Sequence, residues 1–445
     1  MKTPIIPNYV KIPLSLLEKE GFECFIVGGC VRDSLMGKLP SDFDLTTSAT
    51  PDEMLSVFRD FKVIKTGLQH GTLTVVSDGN NLEITTYRTD GEYEDNRHPS
   101  SVAFSKNIAD DLSRRDFTVN TLAYSDKRGL IDLFGGVDDI KNATIRSVGN
   151  PDIRFREDGL RIMRALRFAA TLGFSIEKTT SDSIHNNRNL LKNIAVERIF
   201  TEFCKLICGA DAPKILAEYS DVVGVFIPEM LECVGFDQRS PHHSLDIYAH
   251  TCLTLDGCDK DDTVLRLAAF LHDVGKPQSF VLDGKVGHFP NHAKLGAELT
   301  DTVLRRLRAD NATREAVVRL VLEHCKQIEP CEKSVKRFLA THTENETRRW
   351  LALCRADRLA CAPHNRSTEN YDRIEELIEQ IKRSDACLSL KTLKINGNDL
   401  LSLGYEGREI GKILNFLLAE VMDGKLPNDR AALLDSAKKI NLPQK

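Results

Sequence analysis

The segment Phe25–Thr47, FIVGGCVRDSLMGKLPSDFDLTT, decides how this chain is read. The apolar run Cys24–Val27 predicts a short buried strand. Gly28 and Gly29 follow, and their lack of side chains lets the backbone approach a bound group closely. Cys30–Met36, carrying Arg32 and Asp33, predicts a helix whose unpaired amides face whatever lies over the glycines, a seat for phosphate. After a loop containing Pro40, alternation along Asp42-Phe43-Asp44-Leu45 sets the two aspartates on one face of a strand and the two apolar residues on the other. Adjacent carboxylates repel unless a cation lies between them, so the pair is a candidate Mg²⁺ site beside a triphosphate. A glycine pair or a DxD triplet alone is common. Their order here, strand, glycines, helix, acidic strand, is much more specific.

Working outward, 445 residues exceed one ordinary core, so several domains are expected. Hydrophobic content of 41% with 28% charged residues fits a globular chain in water. A net charge of −5 excludes a globally basic nucleic-acid binder, so any RNA contact must come from a local basic face. No apolar run approaches the roughly 20 residues that span a bilayer, and no membrane partner is expected. The N-terminal MKTPIIPNYVKIP has no uninterrupted apolar core of a signal peptide. The 12 cysteines are scattered with no CxxC pair, as in reduced thiols of a cytoplasm.

Pro13–Glu20 predicts a helix before the first strand. Thr50-Pro51-Asp52-Glu53 supplies a cap, a proline and a capping-box glutamate for a helix running to about Phe58. Lys62–Lys65, Thr72–Val76 and Leu82–Tyr87 read as strands. On the last, Glu83 could join the aspartates as a third carboxylate or sit at an exposed edge, because register is not written locally. Thr89–His98, TDGEYEDNRH, has nothing to bury and reads as a flexible loop. Arg114-Arg115-Asp116-Phe117-Thr118-Val119-Asn120 offers a cation for phosphate, with Asp116 and Asn120 as hydrogen-bonding groups for ribose hydroxyls. Phe155–Gly173 predicts the strongest helix, on which Asp158, Arg161, Arg164 and Arg167 recur every third residue. That spacing places Asp158 and Arg161 side by side, about 5–6 Å apart at Cβ.

GGCVRD followed by DFDLTT resembles the nucleotidyltransferases that share the DNA polymerase β palm. It is closer still to the class II tRNA nucleotidyltransferases and the bacterial poly(A) polymerases. RRDFTVN resembles the family's ribose-recognition motif, and EDGLR its EDxxR motif, in which Asp and Arg act as a protein template. An acceptor beside a fork of donors matches the Watson–Crick edges of cytosine and adenine, whereas guanine and uracil would leave buried groups unpaired. The resemblance therefore implies CTP and ATP as substrates and tRNA as partner. It implies a two-metal transfer with Asp42, Asp44 and Glu83 as catalytic carboxylates. Gly28, Gly29, Arg32, Asp33, Arg115, Asp116, Asn120, Asp158, Arg161, Arg164 and Arg167 are the implied nucleotide-binding positions. The loop with Asp95 and Arg97 resembles the segment that lets the family change from C to A addition. Val196–Glu202 resembles a motif that braces the Asp158 helix.

Further on, LHDVGKP resembles the HD phosphohydrolases. The resemblance makes His250, His272, Asp273 and Asp357 ligands of a second divalent metal site, with His292 and His324 as the added ligands of the two-metal subset. It leaves open a phosphatase, a 2′,3′-cyclic phosphodiesterase or a structural remnant. GNDLLSLGYEGREIGKIL resembles the family's C-terminal tail, and Arg408–Met422 predicts an amphipathic helix. Lysines 412, 425, 438 and 439 suit either tRNA contact or a solvated helical surface.

The expected fold is α+β and multidomain. A polymerase-β-like head with a small mixed sheet spans residues 1–150, followed by an all-helical neck (151–233), HD domain (234–385) and tail (386–445). The expected function is template-independent addition of CCA to tRNA 3′ ends by a cytoplasmic enzyme. The alternatives are a poly(A) polymerase of the same family and an HD phosphohydrolase with a nucleotide-binding head.

Overall fold

The computed structural model describes residues 2–91, 102–384 and 386–440. The chain divides into two compact units, Met1–Leu231 with Arg305–Ala309, and Glu232–Leu304 with Asp310–Lys445.

The first unit is built on a mixed seven-stranded sheet. Its strands are β1 (Cys24–Val27), β2 (Asp44–Thr47), β3 (Lys62–Gly67), β4 (Thr72–Ser77) and β5 (Asn80–Thr86). After a two-stranded ribbon of β6 (Arg88–Asp90) and β7 (Val102–Phe104), the sheet closes with β8 (Ala123–Ser125) and β9 (Gly129–Ile131), in the order β3-β4-β5-β2-β1-β8-β9. β1 is buried along its whole length, as its unbroken apolar run demands. β2 pairs antiparallel with β1 and parallel with β5, which sets Asp44 opposite Glu83. β5 therefore lies inside the sheet between β4 and β2, and Glu83 is not on an edge.

Thr50 forms the expected capping box with Glu53. The first helix begins earlier than Pro13, at Asn8, with Pro7 as its cap and Pro13 within it. Residues 92–101, including Asp95 and Arg97, lie outside the described residues, and Thr89 belongs to β6 instead of a loop.

The expected continuous helix from Phe155 to Gly173 is two helices, Pro151–Glu157 and Leu160–Leu172. Asp158 between them is extended (φ −141°, ψ 103°), and its Oδ1 accepts from the Leu160 amide at 3.0 Å. Aspartate readily takes such a turn in place of helix. At Gly159 a Cβ would lie 3.3 Å from the Leu190 carbonyl oxygen, a tight contact that a side chain would make only if its neighbour gave way by a few tenths of an ångström. Val196–Ile207 packs on Leu160–Leu172, and the chain after it crosses the latter at Gly209, where a Cβ would come within 2.6 Å of the Ala170 carbonyl carbon.

Among its described residues the second unit is helical apart from a small hairpin, Val281–Asp283 with Val286–His288. Four of its helices, Ile247–Asp256, Thr263–Leu271, Asn311–Glu323 and Glu344–Ala360, pack together. Near its C-terminus, Leu400, Ile413, Leu417 and Leu433 form a separate core. Arg408–Met422 is the helix expected there.

Gly209→Ala should lower the stability of the protein by about 1–3 kcal/mol, the usual cost of inserting a methyl into filled space. Chemical denaturation followed by circular dichroism measures it, and an unchanged midpoint would refute this account of the crossing.

Candidate functional site

Two sites emerge, one in each unit. In the first, Asp42 lies just before β2, so the acidic pair spans a strand entrance and is not wholly on a strand. The exposed-buried alternation from Asp42 to Leu45 nevertheless holds. Desolvation, then the charges of Asp42 and Glu83, push the Asp44 carboxyl up to about 6 against the pull of Arg115. Three like charges thus face one another with a deficit of positive charge among them. Among the described residues these carboxylates do not converge as tightly as the metal-type clusters of the second unit, as mutual repulsion requires. The all-oxygen donor set suits a hard cation such as Mg²⁺.

Beside them, Gly28 turns the chain with φ 83°, and Arg115 Nη1 lies 3.3 Å from where its Cβ would stand. The glycine thus makes room for a guanidinium at the start of the helix Gly29–Leu35. Asp111, fully buried, holds Arg115 at 3.1 Å and Arg114 at 2.6 Å. Its spacing of three and four residues before the arginines is the one sequence signal that could have found it.

A polar chain runs from here to the helix Leu160–Leu172. Arg32, buried, pairs with Asp33 and donates from Nη1 to Asn120 Oδ1 at 2.6 Å. Asn120 donates to Asp116 Oδ1 at 3.0 Å, and Asp116 Oδ2 accepts from Arg164 Nε at 2.8 Å. Burial would raise the Asp116 carboxyl, but the Arg164 charge and the Asn120 hydrogen bond outweigh it and bring it down to about 2. Arg167 pairs with buried Glu202 at 2.5 Å, so Val196–Ile207 braces the helix electrostatically as well as by packing. Arg32, Arg164 and Arg167 all lie within 5.3 Å of the Phe168 ring centroid. Phe168, an apolar position of the helix Leu160–Leu172, packs among these cations.

Asp158 and Arg161 are not partners, contrary to the expected shared helix face. Arg161 donates to Glu157 Oε2 at 2.6 Å and to the carbonyls of Arg154 and Arg114, while Arg198 reaches Asp158 Oδ2 at 3.3 Å. The break at Asp158 and Gly159 rotates the aspartate off the stripe.

In the second unit the six expected ligands do converge. His250 Nε2 lies 2.9 Å from Asp357 Oδ1, and His272 Nε2 lies 3.2 Å from Asp273 Oδ2. His292 Nε2 and His324 Nε2 each lie 3.7 Å from Asp273 Oδ1. All four imidazoles donate Nδ1–H to backbone carbonyls, of Ala360, Ala269, Phe289 and Val321 respectively. In the neutral rings each Nε2 is then a lone pair turned inward, the arrangement of metal-binding histidines. His272 Nε2 is completely buried without a hydrogen-bond partner. These residues fit a divalent ion. Gly275 of LHDVGKP serves close approach and not a left-handed turn: its φ is −83°, and a Cβ would lie 2.5 Å from His292 O.

Two contributors went unread in the sequence. Lys276 pairs with Asp273 Oδ2 at 2.7 Å. Cys325 Sγ lies 3.2 Å from His292 Nε2 and 3.1 Å from His324 Nε2. Desolvation would raise the thiol, but hydrogen bonds to both histidines bring it down to about 6. A cavity of about 340 Å³ opens onto Asp273, Lys276, Cys325 and Arg358.

Comparison with known proteins agrees with this division. Residues 24–146 match the Poly A polymerase head domain, 173–230 the Probable RNA and SrmB-binding site of polymerase A, and 292–437 a tRNA nucleotidyltransferase domain 2. The CCA-adding enzyme of Ligilactobacillus salivarius is 35% identical over 98% of each chain. A Bacillus stearothermophilus CCA-adding enzyme in complex with CTP superimposes with a TM-score of 0.72 at 25% identity over 97% of each chain. A Thermotoga maritima CCA-adding enzyme complexed with tRNA has a TM-score of 0.63 at 20% identity, covering 98% of this chain and 96% of that one. Among the described residues no helix is long and apolar enough to cross a membrane.

In protein stripped of divalent ions, the raised Asp44 carboxyl favours the folded state at low pH, and that contribution is lost as pH rises through about 6. Asp44→Asn should therefore raise the metal-free thermal midpoint at pH 8, with the gain shrinking toward pH 4. An equal gain at both pH values would refute the repulsion.

Proposed function

The chain belongs to the CCA-adding enzymes, a family of tRNA nucleotidyltransferases, and from that membership we propose that it adds C, C and A in turn to the 3′ end of tRNA. CTP and ATP are its substrates, and no nucleic-acid template directs the choice. The observation that carries this reading is the parallel pairing of β2 with β5. It holds Asp44 opposite Glu83, within electrostatic reach of the Arg115 that packs over Gly28.

In the reaction the tRNA 3′-hydroxyl attacks the α-phosphate, and pyrophosphate leaves. Asp42, Asp44 and Glu83 would hold two Mg²⁺ ions, which when bound favour ionisation of the attacking hydroxyl and offset charge on the leaving pyrophosphate. Arg115 and the amides after Gly28 take the triphosphate. Arg32, held by Asp33 and Asn120, adds positive charge nearby. Asp116 and Asn120 meet the ribose hydroxyls, and their mutual hydrogen bond orders them beforehand. Asp158 accepts from the amino group of cytosine or adenine, and Arg161 donates to the ring nitrogen by exchanging its Glu157 contact when the nucleotide enters. Arg164 and Arg167, tied to Asp116 and Glu202, fix the helix that carries the readers. We assign the head to residues 1–150, the neck to 151–233, the HD domain to 234–385 and the tail to 386–445. Its place of work is the cytoplasm.

Incubating tRNA that lacks its 3′ end with CTP and ATP tests the reading: three added residues are expected, and a long A tract would identify a poly(A) polymerase. Asp42→Ala should abolish incorporation with tRNA binding nearly intact, and retained polymerisation would refute the carboxylate assignment. Asp158→Ala should relax rejection of UTP and GTP more than it lowers turnover.

The convergence of four Nε2 atoms favours a second activity in the other unit, metal-dependent hydrolysis of phosphate esters such as 2′,3′-cyclic phosphates on damaged RNA ends. His272→Ala should remove that hydrolysis and spare CCA addition. Absence of hydrolysis by the unmutated protein with Mn²⁺, Ni²⁺ or Mg²⁺ would reduce the cluster to a structural role.

A further inference from the structure

We propose that Cys325 is a metal ligand, and that with His292 and His324 it forms a thiolate-containing position for a zinc-type ion, distinct in chemistry from the imidazole and carboxylate position of His250, His272 and Asp357. The proposal rests on the reading of this unit as a metal centre, and it adds a donor outside the six residues of the HD pattern.

The donors fall into two groups. His250, His272 and Asp357 offer ligand atoms within 4.8 Å of one another, and so do His292, His324 and Cys325. Asp273 divides its oxygens between them, Oδ2 lying 3.2 Å from His272 Nε2 and Oδ1 3.7 Å from the Nε2 atoms of His292 and His324. The second group with Asp273 Oδ1 is therefore a set of two nitrogens, one sulfur and one oxygen. Zinc bonds of about 2.0–2.3 Å set tetrahedral donors about 3.5 Å apart. The contacts of 3.1, 3.2 and 3.7 Å in this set bracket that spacing.

Proton counting argues against an ordinary surface thiol. His292 and His324 donate Nδ1–H to Phe289 O and Val321 O, so both Nε2 atoms face Cys325 Sγ as lone pairs. A thiol carries one proton and can satisfy one of them. The other contact sets lone pair against lone pair unless a further proton or a shared metal ion lies among the three atoms, and the convergence of three donor atoms at metal-ligand spacing favours the ion. A soft sulfur donor shifts preference away from Mg²⁺ and toward ions such as Zn²⁺ or Co²⁺. His324 comes at the end of the helix Asn311–Glu323, and Cys325 is the next residue, so both donors are fixed by one helix terminus. Cys325 also borders the 340 Å³ cavity, which gives an ion a route in.

The full-length protein, freed of metal with a chelator, is titrated with Co²⁺ and followed by absorption. Two equivalents are expected, with ligand-field bands for both and thiolate-to-cobalt charge transfer in the near ultraviolet for one. In Cys325→Ser the charge-transfer band should vanish and uptake of that equivalent weaken by at least about tenfold, the scale on which even supporting groups act. His292→Ala should lose the same band, and unchanged circular dichroism melting shows that both variants fold. Ligand-field bands without charge transfer, or charge transfer that survives Cys325→Ser, would overturn the role of the cysteine alone. Failure to bind cobalt at all would overturn the metal centre and the cysteine together.

Discussion

Repulsion among the acids at the head of the sheet is the constraint on which the first unit depends. Asp44 and Glu83 are backbone neighbours on parallel strands, and neither can retreat without breaking the ladder between β2 and β5. The buried Leu45 helps fix the adjoining register, because a slip by one residue would turn it to the face on which Asp44 is exposed. The sheet's core thus holds together carboxylates that would otherwise move apart. Arg115 can neutralise only part of that charge, since Asp111 already holds it.

Neutralisation of a different kind organises the surroundings of the helix Leu160–Leu172. Arg32, Arg164 and Arg167 surround Phe168, and Asp33, Asp116 and Glu202 each engage one of them. Without those partners three cations so close together would repel one another. The carboxylates therefore let three guanidinium groups pack around one aromatic ring.

Much of this was legible in the chain itself where the signal was local. The order of apolar run, glycines and acidic pair located the head, the capping box at Thr50 located a helix, and LHDVGKP located the histidine cluster. What required the structure was non-local or a matter of competing local choices. Glu83 faces Asp44 because of a pairing between distant strands. The helix periodicity around Asp158 was real, yet the aspartate's own turn preference and the crowding at Gly159 interrupted it. Cys325 resembled any other thiol until His292, 33 residues earlier, was brought against it. The roles assigned to Asp158 and Arg161 come from motif resemblance, and the geometry gives each a different partner.

His272 and His324 each stand immediately after a helix and donate to the carbonyl three residues back. Such carbonyls lack an acceptor's usual mate at a helix end. The chain therefore chooses the tautomer as it folds, before any ion arrives, and the rings are aimed by secondary structure. Any ion the cluster takes would meet rings already aimed, so the scaffold would not have to be rebuilt around it.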